Sequence, residues 1–311
     1  MKCLYCYKPL DADERDFHPS CSKKLFGQKI PPVLLYAEED LEILAREIIS
    51  TQTAMTGVQA KLSLHLHPGE HPDAPSRLTI VGLWGGYILK PPSPHYPQLP
   101  EVEDLTMHLA SLAGIRVVPH SLIRMGSGNL AYITRRIDRT LSGKLHMEDM
   151  CQLSGRLTEE KYNGSYEQVG KAILKYASHP GLDVVNFCEL LLFSYLTGNA
   201  DMHLKNFSLL YLPESHIALA PAYDLLATAL VNPADEEELA LTLNGKKRKI
   251  TRHDFNKTFT SLGLDEKQQA NIFRKMARSQ PAWINLIDLS FLSPDFKNRY
   301  KILLEDRFSR I

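Results

Sequence analysis

Three residues in the second half of the chain have the types and spacing that phosphoryl transfer requires. Asp201 is followed five positions later by Asn206, and Asp224 lies 18 positions beyond Asn206. In phosphoryl transfer, one carboxylate accepts the proton of the attacking hydroxyl, while an amide oxygen and a second carboxylate hold Mg²⁺ on the phosphates. The sequence therefore predicts Asp201 as the general base and Asn206 and Asp224 as Mg²⁺ ligands.

The segments around these residues predict how they are positioned. An apolar, helix-like run ends just before Asp201, and two short β runs, 207–212 and 217–220, are joined by a polar turn. A hairpin there would return Asp224 beside Asn206. The alternative is a polar turn without chemistry, because Asp and Asn at this spacing also occur by chance.

Two more polar residues lie between the predicted base and the predicted metal ligand. Lys205 is placed to neutralise the transferred phosphoryl group. His203 is placed to brace the loop by hydrogen bonding.

An upstream lysine and glutamate are candidates for binding the nucleotide phosphates. Lys90 ends the β run 86–90, where it can reach α- and β-phosphates if a carboxylate holds it. Glu103, at the start of a predicted helix over 102–113, is placed for that role, with Glu101 as the second choice. The alternative is a surface lysine that ends a strand.

A phosphate-covering loop is predicted at 56–61, between a predicted helix (38–51) and a strand. Its single glycine makes the glycine-loop signal weak. The residues assigned to nucleotide binding here are Thr56, Gly57, Gln59 and Lys61. Thr53 and Thr56 are also candidate phosphorylation sites, since a phosphate would add nearly two negative charges and could pull the loop out of the nucleotide site.

Four potential metal ligands lie in the first 21 residues: Cys3, Cys6, His18 and Cys21. Cys3 and Cys6 are separated by two residues, as are His18 and Cys21, which is a spacing typical of zinc knuckles. Four such ligands suit a tetrahedral structural zinc. A segment as small as 1–27 needs a staple to become ordered, and a disulfide is not expected in the cytoplasm. The alternative is a set of reduced thiols packed on the neighbouring β-rich lobe.

Composition and patterning set the fold class. The chain has 311 residues, is 44% hydrophobic and has a formal net charge of zero, so it lacks the overall basic character typical of nucleic-acid binding. It shows neither a membrane-spanning apolar run nor a secretory signal, which predicts a cytoplasmic protein.

Short β runs with one helix fill 51–140, and helical periodicity follows from about 144. The prediction is an α+β, bilobal, kinase-like fold. It comprises a Cys/His segment (1–27), a small β-rich N-lobe (38–140) and a larger helical C-lobe (141–311).

These pieces occur together, and in the same order, in a known family. The chain resembles the HipA-like serine/threonine kinases of bacterial toxin–antitoxin systems. The matching pieces, spread over roughly residues 50 to 310, are 56–62, 87–90, Glu103, 137–139, 148–152, 199–206 and 221–224. The resemblance implies ATP and Mg²⁺ as cofactors and the roles given above for Asp201, Asn206, Asp224 and Lys90.

The resemblance also implies properties that the residues alone do not. The connector 134–137, with Arg135 and Ile137, would contact adenine through its backbone. Known members inhibit growth by phosphorylating aminoacyl-tRNA synthetases, and they inactivate themselves by autophosphorylation in the loop before the glycine. A DNA-binding antitoxin is the implied partner.

Two departures from the family pattern change these expectations. The family often has a serine three residues before the glycine, where this chain has Ala54, so Thr56 and then Thr53 become the candidate acceptors. Full-length members also begin with a β-rich subdomain, whereas this chain begins with the Cys/His segment. That arrangement is similar to split systems in which a separate small protein supplies the subdomain.

Two other functions remain as alternatives. Aminoglycoside- and choline-type kinases share the Asp/Asn spacing, but they usually carry a histidine two residues before the aspartate, whereas His203 follows Asp201 by two. Their acidic acceptor pockets could be mimicked by 235–238, which is better explained as a solvated turn. A nucleotide-binding pseudokinase acting as a regulatory partner is the third possibility, and the intact Asp201 argues against it.

Overall fold

The computed structural model describes residues 1–41, 61–69, 71, 74–81, 84–140 and 143–311. Within this part the chain forms two compact units. The first comprises Met1–Asp104, Val118–Ile137 and Leu289–Phe291, and the second comprises Leu105–Val117, Asp138–Asp288 and Leu292–Ile311. Most of the predicted helix 38–51 lies outside the described residues, as do Thr53, Thr56, Gly57 and Gln59.

An antiparallel sheet is the centre of the first unit. Its strands are β1 (Leu62–His67), β2 (Arg77–Val81), β3 (Tyr87–Lys90), β4 (His120–Arg124) and β5 (Leu130–Arg135). They lie in the order β2-β1-β3-β5-β4. Short helix α1 (Pro19–Phe26) precedes the sheet, and helix α2 (Leu99–Leu112) follows β3. Residues 99–104 of α2 belong to the first unit and residues 105–112 to the second. Because β3 pairs with both β1 and β5, Lys90 ends a strand that is covered on both edges.

The N-terminal Cys/His segment packs directly on this sheet. Cys3, Leu4 and Leu25 are fully buried in one apolar cluster with Leu64 and Leu89 of the sheet. Polar contacts add to this packing: the guanidinium of Arg124 donates to the Asp16 carboxylate at 2.8 and 2.9 Å. The segment is therefore an integral part of the first unit.

The second unit combines small sheets with most of the helices. Its strands are β6 (Arg139–Thr140), β7 (Gly143–Lys144), β8 (Met147–Asp149), β9 (Ser208–Leu212) and β10 (His216–Leu219). Its helices are α3 (Met150–Leu153), α4 (Tyr166–Tyr176), α5 (Pro180–Leu196), α6 (Thr228–Val231), α7 (Arg252–Ser261), α8 (Glu266–Leu289) and α9 (Pro294–Ser309). One three-stranded sheet has the order β10-β9-β8, and β6 pairs with β7.

Helix α5 forms the core of the second unit because apolar residues occupy nearly all of its circumference. Phe187, Leu191 and Tyr195 have no exposed surface. The helix ends at Leu196, and two residues later Gly198 has a φ of +68°, in the left-handed region. A Cβ atom there would lie 2.7 Å from the Leu303 side chain, so glycine is required both by conformation and by packing. This glycine starts the loop that carries Asp201.

The predicted helix 102–113, observed as α2, and the predicted hairpin after Asn206 are confirmed. Helix α8 is longer than its local sequence indicates, because it continues to Leu289 with Pro281 inside it. Trp283 and Ile287 beyond the proline are completely buried. Burial of these side chains keeps the chain helical where a proline alone predicts a break. In the described part of the chain, no helix is both long and apolar enough to cross a membrane.

Candidate active site

The loop after α5 holds Asp201 through its backbone. The Asn199 side-chain oxygen accepts a hydrogen bond from the Asp201 N–H at 3.1 Å. The Asp201 carbonyl in turn accepts from the His203 N–H and from the Asn206 side-chain nitrogen, each at 2.8 Å. These bonds fix the direction in which the Asp201 side chain leaves the loop.

The side-chain amide of Asn206 is oriented by the same contact. Its nitrogen donates to the Asp201 carbonyl at 2.8 Å, and the residue is 6% exposed. The side-chain oxygen of Asn206 is therefore the atom that can bind a cation. Hard cations such as Mg²⁺ bind amide and carboxylate oxygens, so this orientation fits the predicted ligand role.

The carboxylate of Asp201 accepts a hydrogen bond that the sequence did not predict. The Tyr162 hydroxyl donates to Asp201 Oδ1 at 2.7 Å. Burial and this negatively charged partner raise the pKa of the Tyr162 phenol, so it remains a donor. The Tyr162 ring also packs edge-on against His203, with ring centroids 5.1 Å apart. No motif or spacing marks Tyr162, because it lies in an irregular loop far from Asp201 in the sequence.

Lys205 is paired with a second aspartate. Its ammonium lies 2.6 Å from Asp149 Oδ2. Asp149 is also the N-cap of α3, since its Oδ1 accepts from the Gln152 N–H at 3.0 Å. Asp149 belongs to the segment 148–152, which the family pattern includes, but sequence reasoning gave it no role. The pair therefore holds the Lys205 ammonium beside the first turn of α3.

Hairpin β9–β10 leads from Asn206 towards Asp224. Just before Asp224, the Tyr223 hydroxyl donates to the Lys205 carbonyl at 3.0 Å and lies 2.5 Å from the Ser208 hydroxyl. These contacts bring the segment carrying Asp224 next to the segment carrying Asn206, as the hairpin predicts. Asp224 has a φ of +55°. Left-handed backbone at a residue other than glycine is uncommon and concentrates at functional sites.

In the first unit, the predicted lysine–glutamate pair is formed. Lys90 Nζ lies 2.5 Å from Glu103 Oε1, with the two side chains 5% and 1% exposed. Lys90 is therefore not a surface residue. A buried ion pair contributes little net stability because both charges lose their hydration. Its presence here is better explained by a need to hold the lysine in place. The second choice, Glu101, has a pKa raised mainly by burial.

Three other predicted nucleotide-binding residues lie in the described part of the chain and are less enclosed. Arg135 is exposed at the end of β5, where its N–H donates to the Pro119 carbonyl at 2.8 Å, and Ile137 lies in the turn that follows. Lys61, also exposed, is the one residue of the predicted phosphate loop within the described part of the chain.

The four N-terminal Cys and His residues converge in the first unit. Their ligand atoms all lie within 4.8 Å of one another. His18 Nδ1 is 3.4 Å from Cys6 Sγ and 3.7 Å from Cys21 Sγ. Burial opposes ionisation of Cys3, but backbone N–H groups of His18, Cys6 and Tyr5 bond to its sulfur and hold its pKa below the ordinary value. The arrangement fits the predicted metal ligand set.

Comparison with known proteins gives the family. The profile of the HipA-like C-terminal domain matches residues 53–284, which include the five candidate residues Lys90, Glu103, Asp201, Asn206 and Asp224. The Cys/His segment lies outside this match.

Two curated relatives are similar to this chain over nearly three quarters of its length. The putative kinase Y4dM of Sinorhizobium fredii is 34% identical over 237 residues, covering 72% of this chain and 54% of the relative. The serine/threonine-protein kinase toxin HipA of Shewanella oneidensis is 25% identical over 249 residues, covering 73% of this chain and 55% of the relative. The chain thus spans about half the length of these relatives.

A solved structure shows the fold. HipA of Shewanella oneidensis, in its complex with HipB and operator DNA, superimposes with a TM-score of 0.69 at 24% identity. The match covers 86% of this chain and 70% of that one. The fold is therefore the α+β kinase-like fold that the sequence predicts, and the chain belongs to the HipA-like C-terminal domain family.

Proposed function

We propose that the protein is a Mg²⁺- and ATP-dependent kinase that phosphorylates serine or threonine of a cellular protein. The observation that supports this most directly is the loop around Asp201. There the carboxylate of Asp201 receives a hydrogen bond from Tyr162, while the Asn206 amide is turned by its bond to the Asp201 backbone. One loop thus presents a candidate base and a candidate metal ligand five residues apart.

The reaction would use Asp201 as the proton acceptor. As the substrate hydroxyl attacks the γ-phosphorus and the bond to the departing ADP breaks, the hydroxyl proton passes to the Asp201 carboxylate. Tyr162 would orient that carboxylate through its hydrogen bond. Asn206 and Asp224 would hold Mg²⁺, which when bound neutralises charge on the phosphates.

Lys90 and Lys205 would act on the phosphates as cations. Lys90 would bind the α- and β-phosphates while Glu103 keeps it in place. Lys205 is proposed to neutralise the transferred phosphoryl group. Its ion pair with Asp149 fixes the position of its ammonium before the phosphates bind. His203 would brace the loop through its ring contact with Tyr162.

The nucleotide base and the phosphate-covering loop are proposed on the family pattern. Adenine would be contacted by the backbone of 134–137, with Arg135 and Ile137. Thr56, Gly57, Gln59 and Lys61 would cover the phosphates, and Thr56 or Thr53 would accept phosphate in a self-inactivating reaction. Intact-mass measurement followed by peptide mapping should then show one added phosphate on Thr56 or Thr53 in the wild type and none in Asp201→Asn. Phosphate found only elsewhere would contradict this assignment.

We also propose that the protein acts as a growth-inhibiting toxin with separate antitoxin partners. The Shewanella relative is named a kinase toxin, and its structure contains HipB and operator DNA. For this chain, the expected partners are a DNA-binding antitoxin and a small protein similar to the N-terminal subdomain of longer members. An aminoacyl-tRNA synthetase is the proposed substrate class.

The four N-terminal ligands are proposed to hold a structural zinc. A tetrahedral zinc places sulfur at about 2.3 Å and nitrogen at about 2.0 Å, so a sulfur–nitrogen edge is roughly 3.5 Å. The two observed sulfur–nitrogen distances, 3.4 and 3.7 Å, are close to that edge.

Labelling of a cell lysate tests the proposed reaction. With γ-labelled ATP and Mg²⁺, the wild type should label a protein band, and Asp201→Asn should not. If label passes only to small molecules, the aminoglycoside- or choline-type kinase is correct instead. If nucleotide binds and no phosphate is transferred to any acceptor, the protein is a pseudokinase.

A further inference from the structure

We propose that the Cys/His cluster is a zinc site that controls the position of helix α2, and so of Glu103, through Tyr7 and Asp104. The metal would therefore act on the residue that holds Lys90, in addition to ordering the N-terminal segment. The consequence for nucleotide binding depends on the kinase function proposed above, whereas the effect of metal on α2 does not.

The histidine of the cluster is prepared for metal binding by its second nitrogen. His18 Nε2 lies 2.9 Å from the Pro9 carbonyl, which can only accept, so Nε2 carries the proton. Nδ1 then has the lone pair, and it is this atom that lies near Cys6 and Cys21. Metal-binding histidines commonly donate their other N–H to a carbonyl in this way. A histidine that served only to fill space would not require this tautomer next to thiols.

Tyr7 connects the cluster to α2. It follows Cys6 directly, and its backbone has a φ of +64° while its N–H donates to the Cys3 carbonyl at 2.9 Å. The ligands Cys3 and Cys6 thus set the Tyr7 backbone. The Tyr7 side chain is buried and its hydroxyl donates to Asp104 Oδ2 at 2.7 Å. Its ring packs edge-on against Phe291, at a centroid distance of 5.2 Å.

Asp104 is completely buried on α2, and hydrogen-bond donors such as the Tyr7 hydroxyl stabilise its carboxylate. His120 Nδ1 lies 2.7 Å from its other oxygen, Oδ1. Burial lowers the pKa of His120 below its ordinary value and so favours the neutral ring, and the 2.7 Å contact fits an Nδ1–H that donates to the carboxylate. A buried carboxylate that loses a donor is destabilised strongly, because the remaining groups do not replace the lost hydration. Tyr7 therefore contributes substantially to keeping Asp104 in place.

Glu103 is the neighbour of Asp104 on the same helix. A shift of Asp104 would move the Glu103 backbone with it, and the Glu103 carboxylate is in direct contact with the Lys90 ammonium. The chain of contacts thus runs from the cluster through Tyr7 and Asp104 to Glu103 and Lys90, entirely within the first unit. Loss of the metal should therefore weaken the first of these contacts, the one that holds the Tyr7 backbone.

The test combines metal analysis with hydrogen exchange on the whole chain. Elemental analysis of the purified protein should give one zinc per chain, and cobalt substitution should give thiolate-to-cobalt absorption that Cys6→Ser/Cys21→Ser abolishes. Hydrogen exchange in α2 is then compared between zinc-loaded and chelator-treated protein. Zinc removal should speed exchange in 99–112 by roughly tenfold or more, the scale of one lost buried charge-assisted hydrogen bond.

Tyr7→Phe separates the proposed link from the metal site itself. It should keep the zinc and the cobalt spectrum, show fast α2 exchange even when zinc is bound, and respond little to further zinc removal. The matched control is Tyr87→Phe, which removes a buried hydroxyl from the same unit, one that bonds to Leu25 instead of α2. This control should behave like the wild type. For a functional kinase, Tyr7→Phe should raise the KM for ATP more than it lowers kcat.

The absence of bound metal would overturn the proposal, as would α2 exchange that is the same with and without zinc. Loss of protection spread equally over β1–β5 would also overturn it, because that result means general stabilisation. Neither the cobalt spectrum nor α2 exchange requires ATP. If these respond as expected and the protein does not bind nucleotide, the proposed kinase function fails while the link from zinc to α2 remains.

Discussion

At the scale of single residues, the contact between Tyr162 and Asp201 is the detail that spacing could not predict. The phenol donates at 2.7 Å to the carboxylate expected to accept the substrate proton. Its raised pKa, caused first by burial and then by Asp201, keeps the proton on the phenol. Tyr162 is thus suited to orient the carboxylate and not to exchange protons with it.

Tyr162→Phe should lower kcat about tenfold and leave the KM for ATP nearly unchanged. Removal of a hydrogen bond to a charged group costs about 1.5–3 kcal/mol, and here the loss would fall on the orientation of the base. Steady-state kinetics with varied ATP measures both constants. Tyr176→Phe, on the exposed C-terminal turn of α4, serves as the control. A rise in KM alone would mean that Tyr162 contributes to nucleotide binding instead.

At the scale of elements, the turn at Asn244–Gly245 is held to the start of α7 by one buried carboxylate. Asp254 has no exposed surface. Its Oδ1 accepts from the side chains of Asn244 and Lys246 at 2.8 and 2.9 Å. Its Oδ2 accepts from the Thr251 N–H at 3.0 Å. Burial alone would raise the pKa of Asp254, but these donors lower it to about 2.

Asp254→Ala should lower the free energy of unfolding by about 2 kcal/mol near pH 7, the scale of a pKa difference of nearly two between the unfolded and folded states. Because the folded pKa is depressed, this stabilisation is present above about pH 4 and is lost as the pH falls towards 2. Urea unfolding at several pH values measures it. The control is Glu305→Ala, which removes an exposed carboxylate of α9. An equal loss of stability at pH 7 and below pH 2.5 would contradict the assignment.

The comparison of elements also shows what patterning can and cannot predict. The start of α9 and the hairpin β9–β10 follow from local signals, namely Ser293 and Pro294 at the helix start and a polar turn between apolar runs. The extension of α8 through Pro281 does not, because it depends on burial of Trp283 by distant parts of the chain. Tertiary packing overrides the local preference there.

The same distinction applies to the candidate site. The spacing of Asp201, Asn206 and Asp224 and the pairing of Lys90 with Glu103 could be expected from order along the chain. The residues that orient them, Tyr162 and Asp149, could not. Their positions depend on loops whose side-chain directions no periodicity determines.

At the scale of the whole molecule, the chain spans about half the length of these curated relatives. The proposed function requires that this chain transfers phosphate by itself. Expression of the wild type in a bacterial host should arrest growth, while Asp201→Asn at the same protein level should not. Colony counts with expression measured in parallel test this. Equal toxicity of the two forms would show that growth inhibition, if present, does not come from phosphoryl transfer.

The account is tested most directly by measuring Mg²⁺–ATP binding and phosphoryl transfer separately for the wild type and Asp201→Asn. A general base contributes about 10²–10⁴-fold to a rate. We therefore predict that Asp201→Asn binds Mg²⁺–ATP within a few-fold of the wild type and transfers phosphate at least 100-fold more slowly. Transfer by Asp201→Asn at nearly the wild-type rate would contradict the account.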